Sequence, residues 1–381
     1  MTKNVPESMQ KAFERTGHPY YFYESLFSTP EVLQDVLSPS SIESIKKAAH
    51  LLKNKKAIYF IGNGTSYYDA IAGPYAMNYF TEINSWSRPS YDFYNYPPAQ
   101  LGNDAAVVGI SHSGSTYETV KALRRMQERG VTTIAITDKK DSEVYDFVDM
   151  VIFNRVEENQ GPKTKSFVAS ILRTHLLALY IALANGKDIN DPLAVYQKTP
   201  EIARTVLTEN EMAIKEFAAK RREINFSRFA VAGTGFQYAD ACEGALKLTE
   251  AALVHSVCWE MEESIHGHWY SLQPHELVTV LAIEGPTLQK SKDLIKGLKV
   301  VNADFWVITN SSDDFPEADF ITRLPGGYPE YLYPIFTILP MYTFTYYLTL
   351  AIGKSHLDHG PYDKQEFMDA RLEFRKSESY R

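Results

Sequence analysis

Several serine and threonine residues lie between an apolar segment and a segment whose apolar residues have helical spacing. They lie in the segment "SHSGST" (111–116), which follows "DAAVVGI" and precedes a run with helical spacing. The first amides of a helix have no partner within it and carry the positive end of its dipole, so such a turn binds an anion, most simply a phosphate. The alternative is an ordinary helix N-cap, because Ser and Thr are common there. The candidate phosphate-binding residues are Ser111, Ser113, Gly114, Ser115 and Thr116.

An amine, a carboxylate and an imidazole occur close together later in the chain. Lys247 and Glu250 are three residues apart, so a helix places them on one face, and His266 follows sixteen residues after Glu250. Near a phosphate site, these groups would suit proton transfers on a sugar carbon next to a carbonyl. The alternative is a surface ion pair and a loop histidine, which bare spacing favours. A metal site at His266 and His268 is weaker still, since no third ligand stands out.

The strands and helices that would position these groups occur twice in the chain. Each half alternates apolar strands with helical runs, which predicts an α/β fold with a parallel sheet flanked by helices. A nearly constant offset of 171 to 173 residues indicates a duplicated domain. The matching positions are Gly62 and Gly233, Ile110 and Ile283, and Asp138 and Asn310.

The two copies differ at the carboxyl ends of their strands, where ligands of parallel sheets bind. The first copy has the hydroxyl-rich turns "GNGTS" and "SHSGST", whereas the second has "GTG" and "IEGPT". We therefore expect the first copy to bind the anion and the second to contribute packing and chemistry. The glycine turns alone are weak signs of a dinucleotide site, because neither shows the full spacing.

Composition narrows the class of protein. The chain has 381 residues, enough for two domains, and a net charge of −8 with no basic block that would indicate nucleic acid. Two cysteines argue against a disulfide framework, and the N-terminus does not resemble a signal peptide, so we predict a cytoplasmic protein. The stretch 331–352 is long and apolar enough to resemble a membrane span, but two prolines and five tyrosines interrupt it. We expect a helix buried in a core or in a dimer interface, and no membrane contact.

Four motifs in order resemble those of the sugar isomerase (SIS) family, over residues from about 20 to 355. The turn "GNGTS" resembles the first phosphosugar loop of the family, and "SHSGSTYET" resembles its second, S-x-S-G-x-T-x-[DE]-T. "EGALKLTE" is similar to E-G-A-L-K-L-K-E, and "EESIHG" to G-E-L-K-H-G. The resemblance is to the group with two SIS domains, which includes the isomerase half of bacterial glucosamine-6-phosphate synthase. It implies two tandem SIS domains, each a three-layer, flavodoxin-like sandwich.

The resemblance also implies roles for the residues. Glu250 would be the base that moves a proton between C1 and C2, His266 would serve ring opening from a neighbouring subunit, and Lys247 would position the sugar. A homodimer with shared active sites follows, with no metal or organic cofactor needed. The substrate-binding residues would be Gly64, Thr65, Ser66, Ser111, Ser113, Gly114, Ser115, Thr116 and Lys163.

The chain departs from the family pattern in several places. No glutaminase domain precedes the first SIS domain, so glutamine-driven synthesis is not expected. The family loop V-A-S-T-K appears as "GPKTK" (161–165), which replaces a substrate-contacting serine with Lys163. "HGH" stands in place of "HGP", and the tail matches neither the synthase nor the fructosamine-6-phosphate deglycases. Its loose candidates for the site are Lys354, His356, His359 and Lys364.

Three functions follow from this resemblance. The leading one is an enzyme that isomerises a phosphorylated amino sugar or sugar–amine conjugate and releases the nitrogen, as a deaminase or a deglycase does. The second is an aldose–ketose isomerase without C–N cleavage, and the third is a phosphosugar-binding regulator. The expected divisions are a helical lead-in (1–45), a first SIS domain that binds the phosphosugar (46–200), a second with the catalytic residues (201–355) and a tail near the active site (356–381).

Overall fold

A computed structural model describes residues 7–224, 228–354 and 357–376, in which short strands alternate with helices over 57–153 and again over 228–323. The strands are β1 Ala57–Gly62, β2 Asn84–Pro89, β3 Ala105–Ile110, β4 Thr132–Thr137, β5 Met150–Phe153, β6 Arg228–Gly233, β7 His255–Glu260, β8 Leu277–Leu281, β9 Asp304–Thr309 and β10 Phe320–Arg323. The helices are α1 Tyr21–Phe27, α2 Thr29–Val36, α3 Pro39–Leu52, α4 Thr65–Phe80, α5 Ser90–Asn95, α6 Tyr117–Glu128, α7 Lys165–Ala184, α8 Asn190–Tyr196, α9 Thr199–Ile224, α10 Tyr238–Lys247, α11 Met261–Ile265, α12 Leu288–Lys299, α13 Ile338–Ala351 and α14 Gln365–Lys376.

The chain divides into two compact units. The first unit comprises Thr29–Glu157 and Lys165–Pro200. The second comprises the described parts of Met1–Ser28, Glu158–Thr164 and Glu201–Ser377. The N-terminal segment is therefore split, because α1 packs with the second unit whereas α2 and α3 pack with the first.

The first unit is built on a parallel sheet with the strand order β2-β1-β3-β4-β5. Every residue of its central strand β3 is buried, as expected for a strand whose sequence is a continuous apolar run. Helix α6 lays its apolar face, which includes Leu123 and Met126, against Val107 and Ala135 of the sheet. This packing fixes the start of α6 at the carboxyl end of β3.

The second unit repeats the same plan with the order β10-β9-β8-β6-β7. Strands β6 to β10, taken in chain order, occupy the positions of β1 to β5, and β6 begins at 228, which is 171 residues after β1 begins at 57. Leu294 and Leu298 of α12 pack on Val280 and Val307 of this sheet, as α6 does in the first. The prediction of two α/β domains, each a parallel sheet flanked by helices, is confirmed, and the structure adds that both sheets have the flavodoxin-like strand order.

The apolar stretch 331–352 is not one long helix. A 3₁₀ turn over Glu330–Ile335 precedes the fourteen-residue α13, and the side chains of both are almost all buried within the second unit. The prediction that this segment is buried in a core is therefore confirmed. Because the rest of the chain already covers α13, this helix no longer supports a dimer. In the described part of the chain, one helix, α7, is long and apolar enough to cross a membrane, and 89% of its most apolar window is buried. The sequence analysis did not single out α7.

Candidate active site

The hydroxyl-rich loop 111–116 joins β3 to α6 and is held closed by its own side chains. Ser111 Oγ donates a hydrogen bond to Thr116 Oγ1 at 3.0 Å and accepts one from the Thr116 amide at 3.4 Å. Gly114 has a φ of 63°, and a Cβ added there would lie 2.0 Å from Ser142 Oγ, so the turn requires glycine. The loop thus has a defined shape that its own sequence dictates.

The hydroxyls of this loop do not act as an ordinary helix cap. Thr116 precedes the first residue of α6 but makes no side-chain capping hydrogen bond. Ser113 and Ser115 are exposed, and their hydroxyl oxygens lie 3.2 Å apart. These contacts argue against the N-cap alternative, and phosphate binding by the loop stays a prediction.

The turn "GNGTS" lies at the same edge of the first sheet. It joins β1 to α4, and β1 and β3 are hydrogen-bonded neighbours in parallel register. Gly64, with a φ of 58°, caps α4 without a side-chain hydrogen bond, and Thr65 and Ser66 form the first turn of the helix. Two helix N-termini with six predicted ligand hydroxyls therefore lie at the carboxyl ends of adjacent strands.

His112, the second residue of the loop, is held by two buried carboxylates. Its Nε2 lies 3.0 Å from Asp69 Oδ2 on α4, and its Nδ1 lies 3.1 Å from Asp138 Oδ2 beyond β4. Asp138 is held in turn by Asn154 Nδ2 at 2.6 Å and Ser166 Oγ at 2.8 Å. Both ring nitrogens can donate at once only if the imidazole is protonated. The geometry therefore favours a buried imidazolium that connects the loop to two other elements.

The electrostatics of this cluster agree with its geometry. Burial alone lowers the pKa of His112, but the carboxylates of Asp138 and Asp69 outweigh it and raise the pKa to about 10. Burial raises the pKa of Asp138, but the charge and hydrogen bond of His112 outweigh it, so the net shift is downward. His112 thus stays charged across the physiological range.

We expect the substitution His112→Gln to destabilise the protein by roughly 3 to 5 kcal/mol near neutral pH, because it leaves two buried carboxylates without their cation. Since the folded pKa of about 10 lies above the ordinary 6.5, the contribution of His112 is complete below pH 6.5 and is lost as the pH rises towards 10. Denaturant unfolding at a series of pH values measures this difference. His50→Gln, at an exposed position of α3, is the matched control. A stability difference that stays constant from pH 6.5 to 10 would contradict the charge assignment.

The structure brings Lys247 and Glu250 together as the spacing predicts. Lys247 Nζ lies 2.5 Å from Glu250 Oε2 and 3.1 Å from Glu243 Oε1, whose second neighbour is the hydroxyl of Tyr342 at 3.0 Å. Lys247 and Glu243 are fully buried, whereas 40% of the Glu250 side chain is exposed. The alternative of a surface ion pair is therefore wrong for Lys247, because a lysine at the surface would be exposed to water and Lys247 is not.

The charge on Lys247 is secured by its neighbours. Burial lowers the pKa of this ammonium, but Glu243 and Glu250 outweigh it and hold the pKa above its usual value. A lysine that stays protonated cannot serve as a base. It can orient the carboxylate of Glu250 and balance its charge, which leaves Glu250 as the group of the pair that is open to a ligand.

Glu250 lies in an irregular end of the helix rather than in a regular turn. A π-helical turn, Leu248–Ala252, follows α10, and Leu253 ends it in the left-handed conformation. π turns of this kind occur often at functional sites. Lys354 Nζ donates to the carbonyls of Ala252 at 2.6 Å and Leu253 at 3.2 Å, which satisfies the helix end.

The described tail residues pack beside this turn. A Cβ added at Gly360 would lie 3.2 Å from the carbonyl oxygen of Glu250, and the buried ring of His359 stacks on Phe13 at 4.3 Å. Lys364 Nζ lies 5.6 Å from the ring centre of Phe367. His356, another candidate from the sequence, lies outside the described residues.

His266 and Lys163 make their polar contacts with residues other than Lys247 and Glu250. His266 ends α11, where 64% of its side chain is exposed and Nε2 lies 3.2 Å from Glu262 Oε1. Lys163 belongs to the segment 158–164, and its Nζ donates to the carbonyls of Gln160 at 3.1 Å and Glu158 at 3.5 Å. Neither position tests the proposed roles of these residues, which stay predictions.

Sequence reasoning missed several of the charged and polar groups described above. Glu243 could have been found from its position four residues before Lys247, which places it on the same helical face. His112 was visible as the one ionisable residue within the loop, and Asp138 as an acid that directly follows β4. The missed residues are Asp69, His112, Asp138, Glu243 and Tyr342.

Comparison with known proteins confirms the resemblance to the SIS family. Residues 51–180, most of which belong to the first unit, match the sequence model of the SIS domain. The chain is 27% identical, over 356 residues, to a glutamine–fructose-6-phosphate aminotransferase (isomerizing) of Gloeobacter violaceus. That match covers 89% of this chain but 57% of the relative, so the chain spans little more than half the length of this relative.

Two solved structures share the fold. The C-terminal domain of glucosamine-fructose-6-phosphate aminotransferase from Francisella tularensis superposes with a TM-score of 0.79 at 17% identity, covering 89% of this chain and 98% of that one. Glucosamine-6-phosphate deaminase from Thermotoga maritima superposes with a TM-score of 0.65 at 21% identity, covering 88% and 98%. These similarities show that the chain shares the fold of these proteins, whose names assign them activities on phosphorylated sugars.

Proposed function

We propose that the protein isomerises a phosphorylated amino sugar or fructosamine-type sugar–amine and releases its nitrogen. The observation that carries this proposal is the buried Lys247, which lies between Glu243 and the partly exposed Glu250. Such a pair presents one oriented carboxylate, which is what proton transfer next to a carbonyl needs. The names of the relatives, an isomerizing aminotransferase and an amino-sugar-phosphate deaminase, support the same substrate class.

In this mechanism one set of residues binds the phosphate and Glu250 transfers the proton. The hydroxyls and helix amides of the two turns hold the phosphate, as the N-termini of helices do for anions. Glu250 removes the proton from C2 of the open-chain sugar and returns it to C1, so the carbonyl moves from C1 to C2. With nitrogen at C2, the same transfer produces an imine, which water hydrolyses to a ketose phosphate and ammonia. Run in the opposite direction on a fructosamine, it releases the amine from C1.

His266 is the proposed acid and base for ring opening, contributed by a second copy of the chain in a homodimer. Its exposed position at the end of α11 supports a role outside its own chain. Two other functions use the same observations less fully. An isomerase that leaves the C–N bond intact would also need Glu250, whereas a phosphosugar-binding regulator has no need of a base at C2.

A substrate panel tests the proposal. We expect the purified protein to release ammonia or an amine, together with hexose phosphate, from one of glucosamine-6-phosphate, galactosamine-6-phosphate or a fructose–amine phosphate. Unphosphorylated glucosamine and the variant Glu250→Gln are the controls, and both should release far less. Interconversion of aldose and ketose phosphates without nitrogen release would favour the plain isomerase. Binding of a sugar phosphate with no turnover on any member would favour the regulator.

A further inference from the structure

The two cysteines of the chain lie side by side, although sixteen residues separate them. Cys242 is on α10 and Cys258 is on β7, and their sulfur atoms lie 3.0 Å apart. Both are free thiols. An S–S bond is about 2.05 Å long, so a movement of about 1 Å would join them. The proposed sugar chemistry makes no use of this pair.

The two thiols differ in access and in chemical character. Cys242 is buried, whereas Cys258 is partly exposed on β7, the outermost strand of its sheet. The hydrogen bond from the Cys242 thiol lowers the pKa of Cys258 to about 7 against the opposing effect of burial, and the same bond together with burial raises the pKa of Cys242. Tyr238, which hydrogen-bonds both sulfurs, and the carboxylate of Glu243 are the other ionisable groups that face the pair. Cys258 is therefore the attacking thiolate, because the thiolate is the reactive form.

We propose that Cys242 and Cys258 form an oxidisable dithiol site that takes hydroperoxides as its substrate class. The Cys258 thiolate attacks the peroxide O–O bond and becomes a sulfenic acid, and the peroxide leaves as water or an alcohol. The Cys242 thiol then displaces water from the sulfenic sulfur to form the disulfide. In sum, two thiols and one hydroperoxide give one disulfide, one water and one alcohol or second water, and a dithiol reductant reverses the change.

The position of the site links it to the helix that holds Lys247. Cys242 directly precedes Glu243, the buried partner of the Lys247 ammonium. A disulfide to β7 therefore ties the middle of α10 to the edge of the sheet. This consequence is independent of which substrate the protein uses, because it concerns the helix and not the reaction.

Treatment of the full-length protein with hydrogen peroxide tests the site. Because the chain has two cysteines, titration of free thiols before and after treatment reports on this pair alone. We expect both thiols to disappear, the intact mass to fall by two hydrogen atoms, and non-reducing peptide mapping to find one chain-internal disulfide that dithiothreitol reverses. Thiols that persist, disulfides between chains, or sulfinic acid without a disulfide would overturn the proposal.

Single substitutions separate the two roles. In Cys242→Ser, peroxide should convert Cys258 to a sulfenic acid that dimedone traps. In Cys258→Ser, Cys242 should be modified roughly ten times more slowly, because it is buried and stays protonated. Equal labelling rates in the two variants would show that Cys258 is not the attacking thiol. Circular dichroism of both variants confirms folding, and the wild-type disulfide itself requires no substitution.

Discussion

Replacement of Glu250 by glutamine is expected to lower turnover by roughly two to four powers of ten, the range of general-base catalysis, while substrate binding survives. Glutamine keeps the size of the side chain and its hydrogen bond to the Lys247 ammonium, but it cannot accept the proton from carbon. The direct measurement is exchange of solvent deuterium into C1 or C2 of the sugar phosphate, followed by mass spectrometry. Binding of the same substrate is measured by calorimetry, which separates loss of the base from loss of the site.

Glu216→Gln is the matched control for this experiment. Glu216 is an exposed residue of α9 in the same unit, so the substitution changes the charge by the same amount without touching Lys247. It should exchange deuterium at the wild-type rate. If Glu250→Gln also exchanged at that rate, another residue would be the base, and Lys163 would be the next candidate. A variant that neither binds nor exchanges would point to a structural role for Glu250.

The double substitution Ser111→Ala and Thr116→Ala should raise the dissociation constant of the sugar phosphate by roughly a hundredfold. Each hydrogen bond to a charged group contributes about 1.5 to 3 kcal/mol, and the two losses need not add fully. The unphosphorylated sugar should bind with little change, because it presents no phosphate to this loop. Titration calorimetry with the two sugars measures the difference.

Ser44→Ala, on α3 of the same unit, is the control for removing a hydroxyl elsewhere. Because Ser111 and Thr116 also hydrogen-bond each other, thermal unfolding of the double variant shows whether the loop keeps its stability. Equal loss of affinity for the phosphorylated and unphosphorylated sugars would count against phosphate binding by the loop.

The architecture could be predicted well because the same pattern of strands and helices occurs twice in the sequence. Apolar strands that end in glycine turns recur at an offset of 171 to 173 residues. Strands that alternate with helices form a parallel sheet covered by helices, so the pattern predicts two such sheets. The close pairing of Lys247 with Glu250 was equally predictable, since it depends on helical spacing alone. Local patterns of this kind can be recognised from a single sequence.

The remaining features depend on contacts between residues that are distant in the chain. His112 gains its charge from Asp69 and Asp138, which reach it only because β1, β3 and β4 are adjacent in the sheet. Burial of Lys247 depends on Tyr342 and the rest of α13, about a hundred residues away. Likewise, no local pattern shows that residues 158–164 pack with the second unit while their neighbours on both sides pack with the first.

The proposal that the loop 111–116 binds phosphate has a consequence for the rate and the salt dependence of ligand binding. Its donors are neutral hydroxyls and amides, and the charge of His112 is offset by Asp69 and Asp138. Dipoles act over short distances, so the loop gives a dianion little long-range attraction, and the net charge of −8 opposes its approach. Added salt screens that repulsion and leaves the contacts within the loop nearly unchanged. We therefore expect a phosphorylated ligand to associate without electrostatic steering, and to associate somewhat faster at moderate ionic strength than at low ionic strength.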